Sequence, residues 1–156
     1  METNTGTVVI DPLDMPAGEV PARTFPLLME KLYVMNVASA EVKATKTEGV
    51  SMVKIMLKTT QDAQSTEGDV VNAGFPVFAN WIFTSTGDLT AKMIAESGAE
   101  ILRACGLKSA KVSDLRDNPS IIVDKTVCIK TRNRKAKDGF EAQTEIARGG
   151  WIEPKV

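Results

Sequence analysis

Hydrophobic and polar positions alternate along this chain in short runs, the pattern of strands rather than helices. Val50 to Thr59 is the clearest case: Val53, Ile55 and Leu57 share one face, and Lys54 and Lys58 share the other. Phe25 to Ala44 is rich in strand formers, with Leu32, Val34, Ala38, Ala40 and Val42 on one parity. That parity predicts a long strand, although Leu27 to Tyr33 also fits a short helix. Thr45 to Gly49 reads as a turn, and Gln61 to Gly68, with no apolar period, as a polar loop. Between Val70 and Thr84, Pro76 limits the first half to an edge or irregular segment, while Phe78 to Thr84 is predicted to be a strand.

The pattern then changes. Ser85-Thr86-Gly87-Asp88 offers a hydroxyl with an acid three residues later, the capping-box arrangement that opens a helix. Ile94, Gly98, Ile101 and Cys105 follow at spacings of three and four, and Gly106 supplies a left-handed stop. Ser113 to Pro119 allows a single helical turn at most. From Thr126 to Arg134 alternation returns, with Val127 and Ile129 on one face and Lys130, Arg132 and Arg134 on the other. Asp138-Gly139 is the dipeptide preferred in a two-residue hairpin turn, and Phe140 to Ala147 makes the return strand. If that dipeptide occupies the turn, Lys137 faces Phe140, Arg132 faces Glu145, and Glu141 lies diagonal to Arg134. Three strands, one helix and a final hairpin predict a mainly β fold, most economically a small OB-like antiparallel β-barrel with one main α-helix. Residues 1–24, with Pro12, Pro16 and Pro21, are expected to form an extended N-terminal arm, and residues 25–156 a single barrel domain.

Composition narrows the chemistry. With 156 residues a core forms without disulfides or metal. There is no histidine, which removes imidazole metal sites and histidine-dependent triads. Cys105 and Cys128 lack a CxxC spacing, so zinc is not expected; both are read as buried thiols in a reduced, cytoplasmic setting. No secretory leader and no apolar run of about 20 residues is present, so a soluble protein without membrane association is expected. Carboxylates form no recognisable pair, the serines lack a base and no glycine-rich phosphate loop occurs. A non-enzymatic protein with no cofactor is therefore expected.

Charge supplies the functional signal. The formal net charge is -1, so no global positive field draws in a polyanion, and any nucleic-acid site must be local. The first 42 residues carry six acids against Arg23 and Lys31, whereas six basic residues fall from Lys125 to Lys137 without an acid among them. An ordinary solvated hairpin would balance part of this through cross-strand pairs such as Arg132 with Glu145. Exposed pairs of that kind contribute only about 0–1 kcal/mol, so the arginines stay available to phosphate. Binders of single strands add aromatic faces on which bases stack. Trp81, Phe140 and Tyr33 are the candidate platforms, although each reads more readily as a core residue than as a stacking one.

The order of these elements resembles a family of small phage-encoded proteins of unknown function that are often assigned to single-stranded-DNA binding. The resemblance covers roughly residues 25–148. It rests on the strand ending Thr45-Lys46 with Gly49, Met52-Val53-Lys54-Ile55, and Gly68-Asp69-Val70-Val71 before an aromatic strand. It continues with Leu102 to Leu107 closing the helix, Asp114-Leu115, Lys125 to Lys130, and Thr144-Glu145-Ile146. Relatives often place glycine before the lysine of the penultimate strand, where this chain has Asp124. The resemblance implies an OB-like barrel acting in phage DNA replication or recombination, in the host cytoplasm, with its groove tracking single-stranded DNA. Replication or recombination proteins are the implied protein partners, and a homo-oligomer is compatible with the sequence. On this reading Lys130, Arg132, Arg134, Lys135 and Lys137, helped by Lys46 and Lys54, neutralise phosphates, while Trp81 and Phe140 stack bases. The rival readings are a virion structural or decoration protein and a phage adaptor or inhibitor of a host protein.

Overall fold

The computed structural model describes residues 12–14, 16–17, 26–87, 89–136 and 142–154. Seven strands are present among them: β1 (Leu32–Ala44), β2 (Ser51–Thr59), β3 (Ala63–Gln64), β4 (Val70–Val71), β5 (Pro76–Ile82), β6 (Thr126–Arg134) and β7 (Gln143–Ile152). Two helices, α1 (Ala91–Ala104) and α2 (Val112–Asp117), lie between β5 and β6. The fold is mainly β. Its main sheet is antiparallel, in the order β5-β2-β1-β6-β7, and a small separate hairpin pairs β3, inside the expected polar loop, with β4 just beyond it.

β1 serves two partners. Leu32 to Asn36 pair with β6, and Met35 to Ala44 pair with β2, with the register breaking between Val37 and Ser39. That bulge corrects the predicted parity. Before it, Tyr33, Met35 and Val37 are buried while Leu32 and Val34 are 56% and 44% exposed. After it, Ala40, partly buried, and Val42, 48% exposed, stand opposite the buried Ile55 and Val53. An extra residue shifts the alternation by one and bends the strand. The backbone of Val37 is held there by the segment ahead of β6: its N–H donates to Lys125 at 2.9 Å, and its carbonyl accepts from Asp124 at 2.8 Å.

The inward faces of β1, β2, β5 and β6 supply the core, with Val53, Ile55, Leu57, Val77, Val127 and Ile129 all at most 1% exposed. Each fully buried aliphatic side chain contributes about 1.5–3 kcal/mol. The helices close one side of this layer with Ile94, Ile101, Leu102 and Leu115. The start of α1 differs from the expectation at Ser85: the N-cap is Thr90, whose hydroxyl accepts from Met93 N at 3.2 Å, while Thr86 caps a separate turn by accepting from Leu89 N at 3.1 Å. The expected stop is present. Gly106 has φ 77°, with Leu107 N donating to Leu102 O at 2.8 Å and Gly106 N to Arg103 O at 3.0 Å.

α2 starts one residue ahead of Ser113 and, at six residues, is longer than the single turn expected there, with Asp114 accepting from Lys111 N at 2.9 Å. Of the predicted arm, Pro12–Asp14 forms one 3-10 turn, and most of the remainder lies outside the described residues. None of the described helices is long and apolar enough to cross a membrane.

Candidate nucleic-acid interface

β6 alternates as its sequence dictates. Val127, Ile129 and Thr131 turn into the core, and Lys130, Arg132 and Arg134 stand on the exposed face, followed by exposed Lys135. β7 returns in the register that a two-residue Asp138-Gly139 turn requires: Arg132 opposes Glu145, Asn133 opposes Thr144 and Arg134 opposes Gln143. The turn itself, with Lys137 and Phe140, lies outside the described residues. Arg132 Nε meets Glu145 Oε1 at 3.1 Å, as the cross-strand pairing predicts.

A ring of three hydrogen bonds anchors the base of this hairpin. Leu28 N donates to Thr144 Oγ1 at 2.9 Å, the Thr144 hydroxyl donates to Asn133 Oδ1 at 2.7 Å, and Asn133 Nδ2 donates to the Leu28 carbonyl at 2.8 Å. Glu30 adds a carboxylate that accepts from Asn133 N at 2.7 Å. The inward residue between two outward arginines thus ties them to the chain entering the domain.

The two edge strands of the sheet run parallel, because four antiparallel pairings separate them. Between them opens a cleft of about 330 Å³, whose walls are Phe78 and Asn80 from β5 and Arg134, Gln143 and Glu145 from the hairpin. Phe78 is 38% exposed, and Lys54 Nζ sits 5.4 Å from the centre of its ring. A cation against an exposed aromatic face contributes about 0.5–1 kcal/mol, enough to bias the ring's orientation. The cleft therefore joins a positive rim to an open aromatic face.

Trp81 requires correction. It is only 3% exposed and lies beneath α1, its indole N–H donating to Ile94 O and Ser97 Oγ, each at 3.1 Å. Val77, Ala79 and Trp81 take the inward parity of β5, so the aromatic that reaches the surface is Phe78, three residues away on the opposite face. Tyr33 is likewise buried, its hydroxyl donating to Met29 O at 2.6 Å. Lys46 is exposed in the β1–β2 turn, at the opposite end of β1 from the point where β6 joins it. The structure thus brings Lys54 to the cleft and places Lys46 apart from it.

Of the two thiols, Cys105 is buried, which pushes its pKa up to about 11 against the opposing pull of Lys125. Cys128, expected to be buried as well, is half-buried on the outer face, between Val34 and Ile152. Phe78, Asn80 and Gln143 were not singled out by sequence as site residues, and Glu145 only as the cross-strand partner of Arg132. Alternation within Pro76–Ile82 carried the signal for the first two; the pairing of the far edges across the cleft had none. No protein-family model matches the chain, and no curated protein is significantly similar to it.

Proposed function

We propose that this protein is a non-enzymatic single-stranded-DNA-binding protein of phage replication or recombination, built on an OB-like barrel. The strand order supports the barrel reading: with β3 and β4 set aside, the sheet runs third, second, first, fourth, fifth, with α1 in the connection from third to fourth. In such barrels the face of the second and third strands and the adjoining loops receive oligonucleotides. Here that face carries Lys54 and Phe78, and the fourth-to-fifth hairpin carries Arg132, Arg134 and Lys135. The observation that carries the reading is the cleft of about 330 Å³ itself, whose lining joins an exposed aromatic, Phe78, to an arginine, Arg134. Phosphates lie along Lys130, Arg134 and Lys135, Arg132 exchanges Glu145 for phosphate, and Phe78 takes the stacking role expected of Trp81.

Titration with fluorescent oligo-dT tests this. Affinity falls with salt, at a log–log slope of about -0.7 per phosphate contacted. Reversing Arg132 and Arg134 to glutamate together weakens binding at least tenfold, and Phe78→Ala removes about 1–3 kcal/mol. Affinity untouched by the double reversal would place the site elsewhere.

A second reading has its own observation. Leu32, Val34 and Ile152 are 56%, 44% and 36% exposed around Cys128 on the outer face of β1, β6 and β7. Such a surface suits docking on a protein, as a virion component or a host-directed adaptor would do. Pull-down after nuclease treatment and co-purification with particles distinguish those roles from strand binding.

A further inference from the structure

We infer that Trp151 is a second aromatic contact for the strand bound in the cleft, reached from β7 as Phe78 is reached from β5. The inference rests on the single-strand reading above and adds a residue that the hairpin's charge pattern does not indicate. The chain has two indoles, and they stand in different surroundings. Trp81 is 3% exposed, and its N–H donates to Ile94 O and Ser97 Oγ. Trp151 packs against the core yet is only half-buried, and among the described residues its N–H has no hydrogen-bond partner. An indole settled inside a protein pairs that group, so an unpaired N–H on a half-buried ring marks a side open to solvent. The ring lines the same cleft of about 330 Å³ as Phe78 and Arg134.

The backbone of β7 accounts for this placement. Ile146 pairs with Thr131 and Trp151 with Ile129, so Ala147 to Gly150 form a detour across the single position Lys130. Gly149 takes φ 68°, and Gly150 passes so close to the Lys130 carbonyl that a Cβ would lie 2.6 Å from it. Irregularities of this kind re-aim the side chains beside them. Ile146 and Ala147 ahead of the detour and Trp151 after it all line the cleft, and Ala79 contributes a small side chain from β5. The lining thus carries one aromatic residue from each edge strand, with Arg134 beside them. Single strands bind to such combinations of cation and aromatic face, and the contact tolerates any sequence because every base has a π-face. Trp151 therefore adds affinity rather than base preference.

Intrinsic emission tests the contact in the full chain, with the buried Trp81 as an internal reference. Oligo-dT is titrated at low salt, and the anisotropy of a labelled strand reports binding independently. Emission is expected to fall as the strand binds, and acrylamide is expected to quench the complex less than the free protein. Trp151→Phe keeps Trp81 as its one indole, and its emission is expected not to respond to the strand. Trp151→Ala is expected to bind about five- to tenfold more weakly while its melt remains cooperative. If Trp151→Ala does not fold, the emission of the parent and of Trp151→Phe decides. Binding by anisotropy without a change in emission, an equal change in Trp151→Phe, or parental affinity in a folded Trp151→Ala would each overturn the contact and leave strand binding intact. Absence of any anisotropy change refutes the single-strand reading itself, and this inference with it.

Discussion

Asp124 adopts φ 68°, a left-handed conformation that strains any residue with a Cβ and least of all glycine. It holds that geometry because its N–H must reach the Val37 carbonyl at the β1 bulge. Asp124→Gly is expected to raise stability by about 0.5–1 kcal/mol, the relief of a left-handed side chain less the added freedom of the unfolded chain. Gly150 is the opposite case. It ends a bulge in which Ala147 to Gly150 span the single position Lys130, and a Cβ there would lie 2.6 Å from the Lys130 carbonyl and 2.7 Å from that of Ala147. Backbone oxygens on both sides cannot retreat as a side-chain tip can. Gly150→Ala is therefore expected to cost about 2–3 kcal/mol and to lower the denaturant midpoint, while Asp124→Gly raises it.

At the scale of elements, α1 meets the sheet through Trp81 and Gly98. A Cβ at Gly98 would stand 2.7 Å from Trp81 Cζ2 and 2.7 Å from Val112 Cγ1, so glycine allows the helix to lie directly on the indole. In an open helix, alanine in place of glycine gains about 1 kcal/mol. Here the same change is expected to destabilise by about 1–2 kcal/mol, because overpacking outweighs propensity. A shifted Trp81 emission spectrum would show the indole displaced; a stabilised Gly98→Ala would mean that the helix has room to move. These contacts also mark what the sequence made legible. Period-two alternation in Val53 to Leu57 and Val127 to Arg134, the stop at Gly106 and the hairpin register implied by Asp138-Gly139 all depend on neighbours in the chain, and each agrees with the described residues. The inward side of β1 near Leu32 depended on a bulge set by Asp124 and Lys125, far along the chain. Trp81 went astray for a related reason: the glycine that admits it to the core belongs to another element. The cleft was illegible because Phe78 and Gln143 face each other only after the sheet has curved.

For the molecule as a whole, the decisive connection joins the start of the domain to its basic hairpin. Leu28 is fully buried, and its N–H and carbonyl are both satisfied by Thr144 and Asn133, 116 and 105 residues further along. The three bonds form a ring in which every donor has an acceptor, so losing one member leaves buried polar atoms unpaired at two others. Asn133→Ala is expected to cost about 2–3 kcal/mol, more than a typical single hydrogen bond contributes. Thr144→Val should cost a similar amount, and the double variant distinctly less than the sum, because the ring is already broken after the first change. Additive losses would show that the bonds act independently. The ring also bears on function: Asn133 lies between Arg132 and Arg134, so its loss frees the hairpin that carries both arginines. Amide exchange along β6 and β7 should then accelerate more than exchange along β2, and oligonucleotide affinity should fall even though no phosphate contact has been removed. A hairpin that keeps its protection in Asn133→Ala would locate its rigidity in the Arg132–Glu145 pair and the sheet itself.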